Sequence, residues 1–186
     1  MNLLGLTLWD LLPRRKSGRK AEARPRMHPR TCPRTRPRTR PRVAGASRGK
    51  ASPMQQRYDA LVEEMKQRYG FKVRKWRRGT SGCAWEIRYR DGTVARWIES
   101  PYPTGPMSCA VFLHEVGHHA IGLRRFSPRC LEEYHAWMWS LEAMKSRGFN
   151  VTDAVHRRVT ASLRYAVAKA RRRGIRSIPP ELRAFE

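Results

Sequence analysis

The 186-residue chain carries 40 Lys+Arg against 15 Asp+Glu, a formal net charge of +25, and its length suits one modest domain plus a tail. Its four cysteines (Cys32, Cys83, Cys109 and Cys130) contain no Cys-x-x-Cys pair, which excludes a cysteine zinc ribbon and a disulfide framework. No run approaches the roughly 18 apolar residues of a membrane span, so the expected setting is reducing and cytoplasmic, with no membrane partner.

Residues 1–12 (MNLLGLTLWDLL) are apolar but short, and no basic residue precedes them, unlike a secretory signal. Residues 1–53 hold 15 Lys+Arg against 2 Asp+Glu, and Pro29, Pro33, Pro37 and Pro41 recur every fourth position. Such a segment lacks backbone donors, repels itself and cannot form a core. It is expected to be a disordered Arg/Pro-rich tail. Its composition admits an arm that contacts nucleic acid, a tail with no selected role, or a leader ahead of a biological start at Met54. The last is favoured because globular patterning begins right after Met54.

From there the expected class is α+β, over residues 54–178. Tyr58, Leu61, Met65 and Tyr69 keep helical spacing, with Gly70 as a stop. Phe71 to Trp76 alternates as a strand. Trp85, Ile87 and Tyr89 alternate again, Asp91-Gly92 signals a two-residue hairpin, and Thr93 to Glu99 returns, giving a short antiparallel sheet. Pro101, Pro103 and Pro106 end it, and Ser108 is placed as the N-cap of a helix that stops at Gly122. Ser127-Pro128 then opens another helix, Ser as N-cap and Pro at the first position, stopped by Gly148. Thr152 caps a final helix of about 20 residues with an apolar stripe at Val155, Val159, Leu163 and Val167. Arg157, Arg158, Arg164, Lys169 and Arg171 to Arg173 lie off that stripe. Pro179-Pro180 is expected to end regular structure, leaving 179–186 as a tail.

The apolar helix contains His114-Glu115-Val116-Gly117-His118, an H-E-x-x-H pattern. Residues at i and i+4 share a helix face, so both imidazoles can ligate one Zn²⁺ at about 2.0–2.1 Å. Glu115 projects beside the ion, where it can take a proton from water as a general base. Val111, Phe112, Leu113, Val116, Ala120 and Ile121 make this helix apolar nearly all round, and buried polar groups need partners. A metal supplies them better than chance placement does. His119 faces another way and is not placed as a ligand.

A catalytic zinc usually has a third protein ligand. The next helix offers Glu132, Glu133 and His135. Glu133 lies six residues past Ser127, about 9 Å along an antiparallel helix, level with the gap between the two imidazoles. It borders the apolar face, whereas Glu132 points nearly the opposite way. Glu133 is therefore placed first, Glu132 second and His135 third.

H-E-x-x-H followed by a helix with Glu133 and Ala136, and Trp139 standing where the family has its aromatic, resembles the gluzincin-type zincins. The nearest likeness is to the ImmA/IrrE-like metallopeptidases and the related zincin domains of phage and mobile-element proteins, over about residues 84–145. The resemblance implies a small α+β zincin and an intracellular peptidase; members often cleave a regulatory or repressor protein. In that chemistry Glu115 accepts the proton of the attacking water and later protonates the leaving amine. A second donor supports the oxyanion, with Tyr134, His135 and His156 as candidates, and the strand Thr93 to Glu99 offers an edge for an extended peptide. The expected function is thus a zinc metalloendopeptidase acting on a protein or peptide. The alternative is a basic nucleic-acid-binding protein with a structural or vestigial zinc site.

Overall fold

The apolar spacing from Tyr58 to Tyr69 does form a helix. In the computed structural model, which describes residues 52–186, α1 spans Pro53–Tyr69. Ser52 caps it by accepting from the Gln55 N–H at 3.1 Å, and Pro53 occupies the first turn, where its missing donor costs nothing. Gly70, at φ 62°, ends it, a left-handed conformation that favours glycine. The expectations for residues 1–51, including the disordered tail, the nucleic-acid arm and the leader, lie outside the described residues.

Three strands follow: β1 (Phe71–Arg77), β2 (Cys83–Arg88) and β3 (Val94–Pro101). The class is α+β, as the sequence implies, but the sheet is mixed and not wholly antiparallel. Its order is β1-β3-β2. β2 and β3 form the antiparallel hairpin, with Trp85 opposite Trp97, whereas β1 lies parallel to β3, with Val73 opposite Ile98. Alternation fixes which face a residue occupies and leaves the neighbouring strand unspecified. Val73, Ile98 and Ala84 line up on the inward face, and Ile98 is fully buried. β3 is therefore the central strand, which removes the edge expected of Thr93 to Glu99. The turn also differs from a two-residue loop: Tyr89 N–H bonds to Thr93 O and Gly92 N–H to Tyr89 O. Gly92 has φ 83°, so glycine serves here as the left-handed third residue of a longer turn.

α2 (Pro106–Ile121) carries the motif through the middle of the fold, with Phe112, Leu113 and Val116 fully buried. It begins ahead of Ser108. The Ser108 hydroxyl instead accepts from the N–H groups of Thr104 and Gly105 at 2.9 and 3.1 Å, tying down the entry from inside the first turn. Gly122, at φ 86°, ends it. α3 (Arg129–Ser146) packs along α2; it starts after Pro128, so Ser127 is not its cap. Thr152 does cap α4 (Asp153–Arg172), whose stripe Val155, Val159, Leu163 and Val167 is buried. Regular structure does not stop at Pro179-Pro180. Residues Pro180–Phe185 form a 3₁₀ turn that buries Leu182 completely, because Ile178 and Leu182 add apolar surface to the core.

α2 and α3 approach closely at Gly117. A Cβ there would lie 2.8 Å from the Ala136 carbonyl oxygen and 3.2 Å from Trp139 Cε3. Gly117→Ala gains about 1 kcal/mol of helix propensity but forces overpacking that costs about 1–3 kcal/mol. The collision is with backbone, so the cost prevails: chemical denaturation of Gly117→Ala should show net destabilisation, and a gain in stability would contradict this packing.

Candidate metal centre

The one-turn spacing on α2 brings the two imidazoles together, with ring centroids 4.7 Å apart at 70°. α3 runs past them and inserts Glu133. Its Oε2 lies 3.3 Å from His114 Nε2 and 3.7 Å from His118 Nε2. Ligand atoms of His114, His118 and Glu133 all fall within 4.8 Å of one another, and all three residues are buried. A tetrahedral ion with arms of about 2.0–2.1 Å has ligand–ligand edges of about 3.4 Å. Two nitrogens and a carboxylate oxygen at these separations fit a divalent metal ion. Glu133 is therefore where helix spacing placed it.

Glu132 is not where it was expected. It is fully buried, with Oε1 3.2 Å from His118 Nδ1 and Oε2 accepting from the Arg124 N–H at 2.9 Å. Adjacent positions on α3 thus grip opposite nitrogens of one ring. A carboxylate on Nδ1 fixes the tautomer and leaves Nε2 to face the ion. The Glu-Glu pair opposite two histidines was a signal for this arrangement, and reading each Glu only as a rival ligand hid it. Arg129, at 3.3 Å from both Glu132 and Glu133, braces the pair from the solvent side.

His114 is oriented differently. Trp137 stacks on it with centroids 4.0 Å apart at 16°, so packing sets its plane. His119 stays off the site, as expected: its Nε2 lies 3.1 Å from the Trp97 carbonyl oxygen, joining α2 to β3. His135 packs on Phe126 at 4.1 Å and is not a ligand. His156 is exposed, and neither it nor Tyr134 or His135 lines the cleft. That cleft, with a cavity of about 20 Å³, is walled instead by Thr80, Gly82, Trp137, Arg158 and Ser162 around the motif residues. Thr80, Gly82, Arg158 and Ser162 were not marked by motif spacing, because loop and α4 residues meet the site only through tertiary packing, whereas Trp137 lies one turn after Glu133 on α3.

Glu115 reaches this cleft beside the ligands. It is buried, and Oε2 has no hydrogen-bond partner among the described residues. Gly82 covers it so closely that any Cβ there would overlap its carboxylate. Burial pushes the Glu115 pKa up to about 8 and the His114 pKa down to about 4. Burial also opposes charge on His118, but Glu133 and Glu132 outweigh it and raise that pKa to about 10. The same attraction, overcoming burial, holds Glu133 well below the usual carboxylate range. Two carboxylates around the His118 ring favour positive charge there, which a metal ion held by the cluster would supply in place of the proton.

No protein-family model matches the chain, and no curated protein or solved structure matches it either. What the described residues support is the buried cluster of His114, His118 and Glu133, which could hold a metal ion. Elemental analysis should find about one divalent ion per folded chain, lost in His114→Ala and Glu133→Ala. In chelator competition, Glu132→Gln should hold the ion about 10–100-fold more weakly, as loss of an orienting partner predicts; unchanged affinity would remove Glu132 from that role.

Proposed function

We propose that the domain is a zinc metallopeptidase acting on a protein or peptide substrate, with His114, His118 and Glu133 holding the ion and Glu115 as general base. The observation that carries the reading is the position of Glu115. A buried carboxylate without a partner on Oε2 lines the same cleft as the three ligand residues, under a glycine that alone leaves it room. A structural zinc site is closed by four protein ligands, whereas a catalytic one keeps a position open; the cluster here has three members among the described residues.

Zinc held there would supply Lewis acidity, polarising a carbonyl and making water acidic near neutrality. Glu115 takes the proton of the attacking water, whose oxygen bonds to the carbonyl carbon. The C–N bond then breaks, and Glu115 delivers the proton to the departing amine nitrogen. Glu132 keeps His118 in register through these steps, and Trp137 keeps water from the back of His114. A cytoplasmic setting belongs to the same proposal: Cys83, Cys109 and Cys130 form no disulfide, which suits reducing conditions. Among the described residues no helix is long and apolar enough to cross a membrane.

A second reading, contact with nucleic acid, is favoured by one feature: Arg157, Arg164 and Arg171 to Arg173 are exposed on or just beyond α4. Steeply salt-dependent binding to random-sequence DNA would support it.

Glu115→Gln separates catalysis from metal binding. It should keep its zinc yet cleave a random peptide library about 10²–10⁴-fold more slowly, the usual range for a lost general base. Cleavage at the wild-type rate, read by mass spectrometry, would remove Glu115 from the reaction.

A further inference from the structure

Peptide hydrolysis builds negative charge on the carbonyl oxygen as the water oxygen adds to carbon and the C=O π pair moves onto oxygen. That pair re-forms the C=O π bond when the C–N bond breaks, the C–N electrons leaving on the amine nitrogen, which takes the proton from Glu115. A metal held in the cleft would meet part of the charge on oxygen, and a second donor aimed at that oxygen, apart from the ligands themselves, would meet the rest. The donors expected from sequence, Tyr134, His135 and His156, do not line the cleft. Arg77 is engaged by Glu99 at 3.0 Å, and Arg129 by Glu132 and Glu133; neither lines the cleft.

Arg158 does. It stands on the same face of α4 as Ser162, one turn on, and both line the cleft with His114, Glu115 and Glu133. Val155 and Val159, buried on either side of it in sequence, fix the helix in the core. The guanidinium is half-buried and oriented: one amino group donates to the Thr80 carbonyl oxygen at 2.7 Å, in the loop that also carries Gly82. Its planar fork of donors is set by this bond before a substrate arrives, and a preset fork loses little freedom on binding an anionic oxygen.

We propose that Arg158 is the catalytic residue that binds the scissile carbonyl oxygen and stabilises the charge it acquires. This rests on the peptidase reading above. The geometry gives α4 a part in the chemistry that the motif helices do not supply, and makes the 78–82 loop the brace that aims it.

The test uses the zinc-loaded full chain and two derivatives of one Leu-Leu dipeptide. The N-phosphoryl derivative presents a tetrahedral anion like the reacting carbonyl, and the hydroxamate grips the metal directly. Calorimetry on Arg158→Ala should show the N-phosphoryl compound bound about 10–100-fold more weakly, the range for a lost charge-assisted hydrogen bond. Hydroxamate affinity and zinc content should stay within about threefold and unchanged, respectively. Arg158→Lys should recover part of the loss, which a merely structural role would not predict. Equal loss for both compounds, or none for either, overturns the assignment of Arg158 while leaving the peptidase reading standing. A wild-type chain that retains zinc but binds neither compound overturns both.

Discussion

Three carboxylates sit inside this domain within reach of two imidazoles, and that concentration of buried charge is the constraint on which the remaining structure depends. Glu115, Glu132 and Glu133 are each less than a tenth exposed. An ionised carboxylate taken out of water without a partner is one of the most costly events in folding. Glu132 and Glu133 are offset by the His118 ring between them and by Arg129 at the rim. Glu115 takes the other route and is held toward its neutral form by burial. The two solutions lie side by side on neighbouring helices. Their difference is one of partners: Glu132 and Glu133 have cationic or imidazole neighbours, and Glu115 Oε2 has no hydrogen-bond partner among the described residues.

The scaffold keeps those groups in place by close approach and not by extra charge. Gly117 lets α3 settle against α2, and Ser140 reinforces the seam by donating to the Ala110 carbonyl oxygen at 2.8 Å. His119, next to His118 in sequence, is used to join the motif helix to the central strand through Trp97. The sheet therefore orients α2 about its own axis, which decides where His114 and His118 point. Gly82, at the entrance to β2, completes the enclosure from the sheet side.

Much of this was legible in the residues. The i, i+4 histidines, the intervening Glu115 and the helix-level argument for Glu133 rely on short-range geometry, which sequence spacing encodes directly. The helices α1 and α4, with their apolar stripes and the Thr152 cap, are local in the same sense, whereas Ser52, which caps α1, fell within the segment read as a tail. The strand order was not legible, because alternation in β1 and β3 records inward and outward faces but no partner. Nor was the part played by Glu132, since a helical wheel treats neighbouring residues as facing apart. It omits that a planar ring can be approached from two sides. Gly82 and Arg158 were hidden for a different reason: each meets the site across a tertiary contact between elements far apart in the chain.

The connection between α2 and α3 is short, and one of its residues, Arg124, holds a left-handed backbone at φ 64°, which costs an ordinary side chain roughly 1 kcal/mol or more. Its N–H is the second anchor of Glu132, the same carboxylate that steadies His118. Connecting loops in most domains accept insertions with little penalty. This one is wired to the posture of His118, so a single added residue would be felt inside the cleft as a tilted imidazole. Length in that hinge is therefore under the same restraint as the residues of the motif, although none of its residues lines the cleft.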